Sequence, residues 1–453
     1  MTLKEYLNSL SEEKRTALIG RKTSDVRHKA FTEKRVVHAG LSGRLIAPEE
    51  YQNYWHHAMS MPPDGERTYT VYIHIPFCQT KCLYCGFYQN ASRQEIEDVY
   101  IDDLISEIER DAAMPHLKTV NIKSIFIGGG TPSSLSVRNA ARLLAAIQEN
   151  LNLCTDYELT FEGRIHDLAP ERIETWLSGG VNRISLGVQS FDTILRRRVG
   201  RIEPREEVLA RLSLLKRWDV TAIVDMIYGL PGQTIDLWMK DIATLLKASI
   251  DGMDLYQLNV FPHGDLARAV KAGRVPPCAD IAGQADLYHA ARDFLTAHGI
   301  ERLSLCHWRR DPRERSLYNT LAKTGAVVYP FGCGAGGNVG GISFMHHRSI
   351  EVYHEAIAHG EKPIMMMELQ KSKKLRSVSN EIIAGLEKGY VDLHRLTSLD
   401  TKMEELRLLL CIWQENGLMY EENDLYHLTA DGEFWYVSMT QSMVECAEIL
   451  MCA

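Results

Sequence analysis

The sequence predicts an α/β protein: a partial (β/α) barrel with a helical N-terminal extension and a small winged-helix-like C-terminal domain. Short β-branched runs alternate with amphipathic helical windows six or seven times from Thr68 onward, the pattern of a parallel sheet covered by helices. That is one or two units short of the roughly eight that a closed barrel needs. Past about residue 365 the alternation gives way to helices and one short hairpin.

Residues 1–66 read as the extension, rich in charge and aromatics, with YQNYWHH at 51–57 and a turn-like MPPDGE at 61–66. Residues 67–364 read as the barrel. Its strand candidates are TVYIHI (70–75), KSIFIGG (123–129), YELTFEG (157–163), NRISLGVQ (182–189), VTAIVDMIYG (220–229), DLYQLNV (254–260) and ERLSLCH (301–307). Between the first two, Ile101, Leu104, Ile105 and Ile108 fall on one helical face. PERIETWLSG (170–179) opens on Pro and closes on Gly, as a short helix does. Residues 365–453 read as the accessory domain. It has helices in KKLRSVSNEIIAGLEKG and TKMEELRLLLCIWQENGL, a hairpin from LMY and DLYHLT, and a last helix from DGEFWYV onward. Strand C-termini of such a barrel carry its chemistry.

Hydrophobic residues at 45% and charged residues at 24% are ordinary for a soluble globular protein. A formal net charge of −8, with a C-terminal domain that is not basic, speaks against nucleic acid as a partner. The N-terminus MTLKEYLNSLSEEKR is polar, and no apolar run is long enough to cross a membrane. The expectation is a cytoplasmic protein without membrane insertion, whose ten cysteines are thiols.

Seven of those cysteines are scattered and read as small buried apolar residues. Cys78, Cys82 and Cys85 crowd into a loop directly after the first strand. Three such thiolates hold three irons of a [4Fe–4S] cube and leave the fourth iron open. The open iron chelates the amino and carboxylate groups of S-adenosylmethionine (SAM), and an electron from the cluster breaks a C–S bond to give a 5′-deoxyadenosyl radical. The rival is a structural zinc site completed by His74; zinc modules are usually small, with ligands in two separated pairs. Gly128-Gly129-Gly130-Thr131-Pro132 closes the second strand, where glycines let a ligand approach the backbone. Glu162, Gln189 and Asp225 lie at or near the ends of the next three strands, polar groups on one face. Each taken singly reads equally well as a satisfied rim residue.

YIHIPFCQTKCLYCGFYQN, GGGTPSSL, GVQSFDTILRRRVGR and DMIYGLPGQT, in that order, resemble the oxygen-independent coproporphyrinogen oxidase family of radical SAM enzymes over about residues 68–340. Within it, Cys85-Gly86-Phe87-Tyr88-Gln89-Asn90, Phe161-Glu162-Gly163-Arg164, Cys306-His307-Trp308-Arg309-Arg310 and Phe434-Trp435-Tyr436-Val437 resemble the branch of anaerobic haem-degrading methyltransferases, the anaerobilin synthases. The oxidases carry a further Cys where this chain has Phe87. The haem-chaperone branch shares the Phe but is shorter and lacks an extension like 1–66.

The resemblance implies two SAM molecules. Tyr72, Gly129 and Glu162 match positions that hold the cluster-bound one. Gly130, Thr131, Gln189, Arg201, Asp225, the Tyr84 backbone and Asn259 match contacts to the second, and the Gly332–Gly341 loop a region near it. Tyr72, Glu162 and Asp225 are the expected catalytic residues. The implied reaction takes hydrogen from the second SAM's methyl group; the carbon radical adds to the haem macrocycle, which opens without oxygen to a methylated linear tetrapyrrole and releases iron. The implied partners are haem as substrate and a low-potential electron donor of flavodoxin or ferredoxin type.

Haem requires an apolar slot, an axial ligand in many sites, and cations for its propionates. The candidates are His307 or Cys306 for iron, Trp308 for stacking and Arg309 or Arg310 for a propionate, expected where the last strand ends at the barrel mouth. His346 and His347, followed by Arg348, are a second set. The alternatives are coproporphyrinogen III oxidation and a haem chaperone without turnover.

Overall fold

A computed structural model of the chain describes residues 2–35, 43–63, 67–87, 90–248 and 250–452. Nine strands make its main sheet: β1 (Tyr69–Ile75), β2 (Ile122–Gly129), β3 (Leu153–Gly163), β4 (Arg183–Gln189), β5 (Thr221–Tyr228), β6 (Gly252–Gln257), β7 (Glu301–Arg302), β8 (His307–Arg309) and β9 (Val327–Phe331). Their spatial order is β7-β8-β6-β5-β4-β3-β2-β1-β9. Strands β1 to β6 and β9 run parallel, whereas β8 lies antiparallel to β6 and β7 antiparallel to β8. β7 and β9 stay unpaired with each other, so the barrel is open, as the sequence predicts.

β1 and β5 are almost wholly buried because helices cover one face and the barrel interior fills the other. The helix Gln94–Ala112 buries Ile101, Leu104 and Ile108 as the periodicity predicts. Val137–Asn150 starts on the Ser136 cap and buries Ala140, Leu143, Leu144 and Ile147.

Two expectations need correction. ERLSLCH is not one parallel strand: the Leu303 and Ser304 N–H groups both donate to the His307 carbonyl, folding the segment into the β7–β8 hairpin. His307 therefore begins an antiparallel strand between β7 and β6 instead of ending a parallel one. The missing parallel strand is β9, on the opposite edge beside β1.

The C-terminal domain has the winged-helix outline. Helices Lys373–Glu387, Leu393–Leu399 and Arg407–Glu415 join a three-stranded sheet of Tyr390–Val391, Leu425–Leu428 and Met419–Glu422, and Ala430–Cys452 closes it. Helices Leu3–Ser9, Glu12–Ile19 and Val26–Lys29 pack mainly on that last helix and its neighbours. Trp435 Nε1 donates to the carbonyls of Val26 and Arg27, and Phe31 lies 5.5 Å from the Trp435 ring. Tyr51–Ser60, by contrast, sets Trp55 against Tyr329 and Phe344 beside the barrel. Arg44–Leu45 joins Ile364–Leu369, Ile342–His346 and Gly336–Val339 in a separate four-stranded sheet.

Candidate functional site

The three cysteines sit on the loop that leaves β1. Cys78 and Cys82 are buried and Cys85 is partly exposed. Each sulfur has a partner from a different part of the chain. Cys78 Sγ lies 3.3 Å from Thr131 Oγ1, Cys82 Sγ accepts from Arg164 Nη2 at 3.5 Å, and Cys85 Sγ accepts from the Phe87 N–H at 3.3 Å. Among the described residues, no group of three or more His, Cys, Asp or Glu side chains is arranged to hold a metal ion. Zinc would need its ligands converging on one point; thiolates at three corners of a cube need not. His74 Nδ1 lies 3.0 Å from Tyr72 Oη, and burial, with Arg348 adding to it, lowers the His74 pKa to about 4. A loop of three thiols with hydrogen-bond donors at their sulfurs fits an iron–sulfur cluster.

The glycines after β2 press against that loop. Gly130 N–H donates to the Ile75 carbonyl at 2.7 Å, and a Cβ there would lie 2.4 Å from the Phe77 carbonyl oxygen. Gly129, at φ +109°, packs so tightly on the His74 ring that a Cβ would lie 2.6 Å from it. Its N–H donates to Glu162 Oε2 at 3.1 Å. Only glycine fits either position.

Glu162 and Asp225 face the barrel interior from β3 and β5. Burial, reinforced by Asp225, raises the Glu162 pKa to about 8 against the opposing Gly129 N–H and Arg183. Burial, then Asp254, also raises the Asp225 pKa. Asp225 touches the Ser185 hydroxyl at 3.3 Å, and neither carboxyl forms an ion pair among the described residues. Two carboxyls with no cation in direct contact among the described residues can answer the charge of a positively charged ligand. Beside them Tyr72, Phe126 and Tyr318 form an aromatic wall, with ring centroids 5.0–6.3 Å apart.

At the end of β4, Gln189 adopts φ +70°, a strained conformation for a residue with a Cβ, and its buried Oε1 has no partner. Arg201 is also buried. Its Nη2 donates to Tyr84 Oη at 3.2 Å, while its Nε has no partner. A Cβ on Gly187 would meet both side chains, so that glycine lets them share one space. Thr131, Arg164 and Arg201 also line a cavity of about 180 Å³ with Gln79 and Thr80. Asn259 is exposed beyond β6. Tyr88 and Gln89 lie outside the described residues.

The haem candidates are not gathered in this way. His307 lies in the barrel floor with Nδ1 2.7 Å from Asp254 and Nε2 3.1 Å from Glu314, so neither nitrogen is free for iron. Arg309 is bidentate to Glu301, and Arg310 donates to the Ala248 carbonyl. Cys306 is only partly exposed, and burial pushes its thiol pKa up to about 12. His346 is buried and tied through Nδ1 to the Gly332 carbonyl, and the His347 N–H donates to Pro363.

Sequence reasoning assigned no role to Arg164, Arg183, Asp254, Glu314 or Tyr318. Arg164 stood in a quoted motif, but its reach back to the cysteine loop leaves no local signal.

Residues 72–245 match the family model described as the Radical SAM superfamily. The chain is 36% identical to an anaerobilin synthase of Escherichia coli O157:H7, over 93% of either chain. It is 32% identical to the haem chaperone HemW of Lactococcus lactis, over 70% of this chain and 81% of the relative. The solved structure of coproporphyrinogen III oxidase (HemN) from Escherichia coli superposes with a TM-score of 0.73 over 87% of this chain and 93% of that one, at 19% identity. No described helix is long and apolar enough to cross a membrane. With the domain matched over residues 72–245 and a relative similar along nearly its whole length, this chain belongs to the radical SAM superfamily, in the oxygen-independent coproporphyrinogen oxidase family, and is similar to its anaerobic haem-degrading branch.

Proposed function

We propose that the chain is a radical SAM methyltransferase that opens the haem macrocycle without oxygen, yielding a methylated linear tetrapyrrole and free iron. The observation that carries the reading is the similarity to an anaerobilin synthase along 93% of the chain. Cys78, Cys82 and Cys85 would hold the cluster. When bound, the cluster and SAM supply an electron and the carbon–sulfur cleavage that generates a radical.

This chain's own residues do the rest. Gly129 and Gly130 let the β2 end close on His74 and the cysteine loop, which sets the turn beside the ligand, and Glu162 and Asp225 answer its positive charge. Glu162, with a pKa of about 8, is protonated at neutral pH until a cation arrives beside it. Gln189 and Arg201 offer unsatisfied polar atoms to a second SAM. The wall of Tyr72, Phe126 and Tyr318 gives a flat macrocycle an apolar surface and keeps water from the reacting centre. The electron comes from a low-potential flavodoxin- or ferredoxin-like donor.

A second reading, a haem chaperone, draws on the HemW likeness. The test is anaerobic incubation of the reconstituted protein with haem and a strong reductant, with and without SAM. Loss of the Soret band only with SAM, accompanied by a longer-wavelength product, supports the enzyme. Haem extracted intact from both reactions supports the chaperone and overturns it.

A further inference from the structure

The sulfurs of Cys78 and Cys85 have neutral partners, a hydroxyl and a backbone N–H, whereas Cys82 has a guanidinium. Arg164 reaches it from the end of β3. Its Nη1 donates to Thr80 Oγ1 at 2.6 Å, and its Nη2 donates to the Thr80 carbonyl at 2.9 Å and to Cys82 Sγ at 3.5 Å. The residue is anchored at its root too. Its backbone N–H donates to Ser133 Oγ at 3.0 Å, and Ser133 Oγ donates to Asp167 at 2.6 Å. Gly163 allows this contact, since a Cβ there would already lie 3.1 Å from Ser133. Arg164 has no carboxylate partner among the described residues. Its charge faces the cysteine loop across the small cavity it lines with Thr80 and Thr131.

A guanidinium fixed in this way has two consequences. Its fork joins the β3 end, tied by its backbone N–H to Ser133, to the loop between Cys78 and Cys82, which fixes where the Cys82 sulfur stands. It also places a positive charge and an N–H donor at one thiolate. Hydrogen bonds to sulfur and the charge around a cluster set its reduction potential, and a cation stabilises the more negative, reduced form.

We infer that Arg164 is a positioning residue for the iron–sulfur cluster, holding the Cys82 thiolate in register and raising the cluster's reduction potential. This rests on the assignment of the cluster to Cys78, Cys82 and Cys85. The experiment is a potentiometric titration of the full-length, anaerobically reconstituted protein, followed by electron paramagnetic resonance. It compares the parent with Arg164→Gln and Arg164→Lys, with iron and sulfide measured in each sample. Arg164→Gln is expected to take up reduced-cluster signal only at a more negative potential than the parent. Arg164→Lys, which keeps the charge but not the fork, is expected between them. A fully loaded Arg164→Gln with the parent's midpoint overturns the inference. Where Arg164→Gln does not load, Arg164→Lys decides: a more negative midpoint supports the inference and an unchanged one overturns it. Failure of both variants to load supports the inference where they melt as the parent apoprotein does; where they melt well below it, Arg164 is a folding residue and the inference is overturned. A parent without cluster signal would instead defeat the cluster assignment itself.

Discussion

Arg183 and Glu314 form a bidentate ion pair in the barrel floor, with Nε–Oε2 2.9 Å and Nη2–Oε1 3.0 Å, and both side chains are at most 2% exposed. Glu314 also meets His307, which reaches on to Asp254, so four ionisable groups make one buried chain beneath Asp225. Burial alone would raise the Glu314 pKa, but Arg183 and His307 prevail and hold it at about 2. Burial would likewise lower the His307 pKa, yet Asp254 and Glu314 raise it to about 9.

Removing one member leaves a buried charge unpaired, which typically costs about 3–5 kcal/mol. Glu314→Ala is therefore expected to lose about that much in denaturant unfolding, far beyond the roughly 0–1 kcal/mol of a surface pair. A loss below about 1 kcal/mol would show that the floor is wet. The pH dependence has a definite sign. The His307 charge adds stability that is complete below about pH 6.5, its unfolded value, and vanishes as pH rises through about 9. The Glu314 contribution is present above about pH 4.3 and falls away only toward pH 2. The melting-temperature gap between the parent and His307→Gln should narrow from pH 7 to pH 9.5. A constant gap would show that His307 does not titrate there.

Gln189 separates function from stability. The left-handed conformation costs a side-chain-bearing residue about 1–2 kcal/mol, and glycine gives back about 0.5–1 kcal/mol of that through unfolded-chain entropy. Gln189→Gly is expected to fold as stably as the parent, or up to about 1.5 kcal/mol more so, while methyl transfer drops sharply. Destabilisation by more than about 2 kcal/mol would mark Gln189 as a fold residue.

Asp225 and Arg201 separate the two SAM molecules. Losing one charge-assisted hydrogen bond costs about 1.5–3 kcal/mol, or about ten- to a hundredfold in affinity. Asp225→Asn and Arg201→Ala should keep the cluster and still cleave SAM slowly, while methyl transfer and haem turnover fall much further. Measuring 5′-deoxyadenosine, S-adenosylhomocysteine and tetrapyrrole in the same reactions checks it. An equal fall of all three in both variants contradicts the assignment.

The sequence carried β1, β2, β4 and β5 plainly, because strands buried on both faces are rich in β-branched residues, and it set β6 two residues late, at 254–260, since GMDLYQ has none. It hid β9: Pro330 argues against a sheet interior, and the strand tolerates it as an edge with a single neighbour. It misled at 301–307, where an alternating run contains the turn that makes a hairpin. The placement of the cysteines, the glycine turn, Glu162 and Gln189 on one side was legible because parallel strands put their C-terminal ends together; Asp225, expected near a strand end, sits in the middle of β5. Arg183–Glu314 and Arg164–Cys82 were not, since folding brings together groups 131 and 82 residues apart. His307 drew notice as an iron ligand, but no sequence pattern shows two carboxylates closing on its ring.

The most direct measurement follows the methyl carbon. Haem is incubated anaerobically with the reconstituted protein, a low-potential reductant and SAM labelled only in its methyl group, and the tetrapyrrole fraction is analysed by mass spectrometry. Label in a ring-opened, iron-free tetrapyrrole, formed alongside 5′-deoxyadenosine and S-adenosylhomocysteine, is the expected result. Unlabelled, intact haem recovered while 5′-deoxyadenosine accumulates would contradict the haem-opening methyltransferase.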